Sequence, residues 1–104
     1  MSEREELERE LQTVLLELRR REAVLYGIDQ AITGLTFSLE QYNPQRAVRS
    51  GEARMVMQAD ARRRQVREEL EKRTKERVQA AQEVARAEER KKLVEEELLA
   101  HAGE

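Results

Sequence analysis

Cysteine and tryptophan are absent, proline and histidine occur once each, and aromatic residues make up 3% of the chain. Each absence closes a route. Without cysteine there is no disulfide, no thiolate nucleophile and no Cys-ligated zinc. With so few aromatic residues and a mean hydropathy of -0.88, the 104 residues hold little material for a globular core and at most one domain. No run approaches the ~18 apolar residues that a membrane-spanning helix needs. The opening "MSEREELERE" is acidic and lacks the apolar stretch of a signal peptide. The expectation is a soluble cytoplasmic protein without a membrane partner.

The parts of a catalytic site are missing as well. His101, the single histidine, lies three residues before the last position and reads as solvated tail, with no second imidazole to complete a metal site. No phosphate-binding GK[ST] occurs. Ser50 and Thr74 have no base to activate them, and the glutamates fall in surface-like clusters with nothing to perturb them. No enzymatic activity, cofactor or metal is expected.

What the chain does have is charge, 40% of its residues, and leucine at regular spacing. Such a composition belongs to long helices and coiled coils when the spacing is helical, and to disorder when it is not. Here it is helical. Ser2 and Glu5 make a capping box. From Leu7 the chain steps by four and three through Leu11, Val14, Leu18, Arg21, Leu25, Ile28, Ile32, Leu35 and Leu39. That heptad seam is apolar at all but one position. Pro44 pushes the residue before it out of the helical region, so the first helix is expected over about 3–42, spanning about 60 Å. A connection within 43–51 follows, with Asn43–Pro44 and Ser50 as alternative starts for the next helix.

The second helix is expected over about 52–100. Its seam runs through Val56, Ala59, Arg63, Val66, Leu70, Arg73, Arg77, Ala80, Val84, Ala87, Lys91, Val94 and Leu98. The four polar members are all Arg or Lys, which lay their stems along a seam and keep the charge in water. The spacing predicts an all-α, antiparallel two-helix coiled-coil hairpin. A continuous helix in a parallel dimer would have to carry Pro44 and Gly51 through its middle.

Charge supplies a register. Residues 1–44 carry 5 basic and 9 acidic groups, 45–77 carry 11 and 6, and 78–104 carry 4 and 7. Pairing residue i with residue j so that i + j is near 91 sets the acidic Glu3–Glu10 segment beside Arg86, Arg90, Lys91 and Lys92. It also sets Arg19–Arg21 beside Glu68–Glu71. Under that register "LVEEELLAHAGE" overhangs, leaving Leu93, Val94, Leu98 and Leu99 as a partner site.

One stretch breaks the charged pattern. "VLYGIDQAITGLTFSL", residues 24–39, carries a single charge, Asp29. Beside its leucine seam runs a stripe of small residues, Gly27, Ala31, Gly34 and Ser38, and Val24, Tyr26 and Phe37 add apolar groups elsewhere around the helix. A helix that is apolar nearly all round is a buried one, and two interior glycines cost about 1 kcal/mol each relative to alanine. Both features predict a further helix, most simply from a second copy, so that two hairpins pair into a four-helix bundle.

The functional expectation is a protein–protein interaction module: an adaptor, stalk or assembly factor that forms a homodimer or larger assembly and binds another protein. A second reading uses the basic run at 61–77 on nucleic acid, through Arg62, Arg63, Arg64, Arg67 and Lys75. Glu68, Glu69, Glu71 and Glu76 interrupt that run and no aromatic residue is interleaved for base stacking.

Overall fold

The chain was described by a computed structural model, which covers residues 2–41 and 53–102. Two helices account for nearly all of it: α1, Glu3–Gln41, and α2, Ala53–Ala100. They pack against each other as an all-α helical hairpin. The connection expected at 43–51 lies outside the described residues.

Helix α1 begins as its first residues require. The Glu5 amide donates to Ser2 Oγ at 3.2 Å and the Glu6 amide to Ser2 O at 3.2 Å, so the Ser2 side chain caps one of the free amides of the first turn. Glu3, Glu5 and Glu6 set negative charge against the positive end of the helix dipole. At the far end of α2 the turn tightens. The His101 amide donates to Glu97 O and Leu98 O, and that of Ala102 to Leu99 O, which satisfies carbonyls a helix end otherwise leaves open. Along both helices, ion pairs one turn apart (Arg4–Glu8, Arg73–Glu69, Lys75–Glu71) add a few tenths of a kcal/mol each.

The hairpin divides into two units, each drawing on both helices. In the first, residues 2–26 and 78–102, the buried residues are Val14, Leu18, Ala80, Val84 and Val94. Val14 is the most enclosed, at 1% exposed. Fully burying such a side chain stabilises by about 1.5–3 kcal/mol. The second unit, residues 27–77, buries Val66, with Ile28, Ile32, Leu35, Leu39 and Leu70 half-buried.

The register differs from the expected one. In the first unit Arg21 Nη1 meets Glu83 Oε2 at 2.7 Å, Arg90 Nη2 meets Glu10 Oε1 at 3.4 Å, and His101 Nε2 lies 3.6 Å from Glu3 Oε2. In the second, Arg77 Nε meets Asp29 Oδ1 at 2.5 Å and Arg63 Nη1 donates to Leu39 O at 2.8 Å. These pairs sum to between 100 and 106, where 91 was expected. The difference is close to two heptads. An antiparallel seam superimposes on itself whenever it slides by a heptad, and exposed ion pairs contribute only ~0–1 kcal/mol each. Charge alone could not discriminate between such alignments.

Candidate interaction surface

The corrected register removes the overhang. Val94 is 4% exposed and Leu98 half-buried, both inside the first unit, whereas Leu93 and Leu99 face solvent. The four residues expected to form one partner site therefore point in two directions. Covering by the start of α1 is the reason, since Glu3 reaches His101 beyond them.

The basic set is similarly divided. Arg63 turns inward and caps the last turn of α1 through Leu39 O. Arg62 donates to Gln65 Oε1 at 3.2 Å, and Lys75 pairs with Glu71. Arg64 and Arg67 are exposed. A phosphate-binding stripe needs its cations on one outward side, and Arg63 is spent on the hairpin.

The neutral stretch lies on α1. Within the second unit its single charge is cancelled, because Asp29 is held by Arg77. Ala31 and Ser38 are half-buried, while Phe37 is 62% exposed. Gly27 and Gly34 are exposed, and a Cβ placed on either would meet no atom within 4 Å. Packing of α1 on α2 does not require these glycines. Three hydroxyls in the same segment turn back on their own helix: Thr33 donates to Asp29 O, Thr36 to Ile32 O and Ser38 to Gly34 O. Such bonds hide the hydroxyl's polarity while weakening the helix slightly. The surface that results is uncharged, small-featured and open. In the first unit, Val24 and Tyr26 of the same helix are also exposed, at 54% and 66%.

Sequence reasoning missed Arg77 as a cross-helix anchor and gave Arg21 the wrong partner. Arg77 was expected only to lay its stem along the seam and Arg21 to lie beside Glu68–Glu71; instead Arg77 reaches Asp29 and Arg21 reaches Glu83 on the facing helix. The signal was their place among apolar residues opposite acids, which becomes readable only once the register is known.

Among the described residues, no group of three or more His, Asp or Glu side chains is arranged to hold a metal ion. No helix there is long and apolar enough to cross a membrane. No protein-family model matches the sequence, and no curated protein and no solved structure matches it either.

Proposed function

We propose that this chain is a non-enzymatic protein–protein interaction module, a coiled-coil adaptor, stalk or assembly factor, that self-associates through residues 24–39 of α1. The observation that carries this reading is the open space around Gly27 and Gly34. Each glycine costs about 1 kcal/mol in a helix interior, and the hairpin itself gives no return for it. Close approach of another helix would. The exposed Phe37 and the cancelled charge of Asp29 support the same reading, because burying this face desolvates no unpaired ion. Two hairpins meeting along this face would form a four-helix bundle.

Sedimentation equilibrium over a hundredfold concentration range tests it, with Gly34→Leu beside the wild type. The expected result is a wild-type dimer or larger species and a lighter variant of unchanged helicity at micromolar concentration. A wild-type monomer throughout, or a variant that keeps the wild-type mass, would overturn the proposal.

A further inference from the structure

His101, which reads as solvated tail in the sequence, is folded against the other helix. Its side chain is 23% exposed and its Nε2 lies 3.6 Å from Glu3 Oε2. The groove around it is lined by Glu3, Glu6, Leu7 and Glu10 of α1 and by Glu97, one turn back on α2. No lysine or arginine lines that groove among the described residues, and Arg90 pairs with Glu10 at 3.4 Å. One imidazole therefore faces four carboxylates drawn from both helices.

The charge on that imidazole decides whether the carboxylates around it face a cation or a neutral ring. Imidazole ordinarily titrates near pH ~6.5. While protonated, the ring attracts the carboxylates that line the groove, Glu3 first. Above the imidazole's midpoint the ring is neutral and no longer offsets the repulsion between Glu3 and Glu97. We infer that His101 and Glu3 form a proton-operated clasp, which ties the start of α1 to the end of α2 when His101 is protonated and lets go when it is neutral. Closing takes up a proton. Its contribution is therefore present at mildly acidic pH and lost as pH rises through the imidazole's midpoint.

Because the chain has one histidine, its ring signals in a proton NMR titration of the full chain report this site alone. Three chains are compared between pH 5 and 8.5: wild type, Glu3→Gln and His101→Gln, with far-UV circular dichroism to show that each remains helical. Glu3 is the decisive position. Glu97 would affect His101 in any isolated helix, whereas Glu3 can do so only across the hairpin. The clasp predicts that the His101 midpoint falls in Glu3→Gln. It also predicts that amide exchange at residues 4–7 and 98–101, corrected for its intrinsic pH dependence, is about two- to fivefold slower at pH 5.5 than at pH 8. That difference should vanish in His101→Gln. A midpoint unmoved by Glu3→Gln, or end protection indifferent to the charge on His101, would overturn the inference.

Discussion

Replacing both Gly27 and Gly34 by alanine separates what these residues cost from what they provide. Neither added methyl would touch an atom within 4 Å, and neither position has a backbone conformation that disfavours a side chain. The full difference in helix propensity should therefore appear as stability, about 0.8–1 kcal/mol per site, or about 2 kcal/mol for the pair where sites two turns apart add. For a chain of this size each kcal/mol moves the melting temperature by about 4–8 °C. Thermal unfolding followed by circular dichroism at the lowest workable concentration should show a rise of that order. The same methyl groups should hinder a helix seated on this face, so sedimentation at higher concentration should show weaker association. A stabler but less associated variant is the combined signature. A loss of stability in the dilute chain would refute the local argument, because it would mean that the methyl groups meet atoms. A gain in stability with unchanged association would leave the local argument intact and remove the stripe from the interface.

Other sites probe the hairpin itself. Arg63→Met keeps the stem on the seam but removes the donor to Leu39 O, and should cost about 1 kcal/mol in urea unfolding; a variant as stable as wild type would mean that water caps that turn equally well. Val14→Ala removes about two methyl equivalents from the most enclosed position and should cost about 1.5–3 kcal/mol. Leu99→Ala, at a side chain 76% exposed, should stay within about 0.5 kcal/mol, and equal losses from the two would contradict the burial described above.

The two-helix hairpin was legible because it rests on a short-range rule. Steps of four and three from Leu7 to Leu39 place one residue in each turn on the same side, and no knowledge of the partner is needed to see it. Ser2 and Glu5 marked the start of α1 for the same reason. Register is a long-range property, and there the reading of charge went astray. Arg19–Arg21 had plausible acids at Glu68–Glu71, but Arg21 pairs with Glu83, while Glu69 and Glu71 are taken up within α2 by Arg73 and Lys75. Local pairing competes with pairing across the hairpin, and composition does not show which prevails. The same shift cost the reading of His101, whose partner Glu3 stands at the opposite end of the sequence. For the neutral stretch, the small residues were visible in the sequence; that α2 leaves space around Gly27 and Gly34 was not.

The unequal distribution of buried residues has a consequence in time. Among the described residues, 27–41 and 53–77 hold one of the six buried hydrophobic side chains, Val66, and the other five belong to residues 2–26 and 78–102. Amides open at rates set by the free energy of the smallest unit that must come apart. Among the described residues, the segment carrying Gly27, Gly34 and Phe37 thus has fewer buried side chains to expose on opening, and it should exchange its amides before the segment around Val14. A partner that seats on it would silence that exchange, so the slowing of a few amides between residues 27 and 39 would register binding even where no other property of the chain changes.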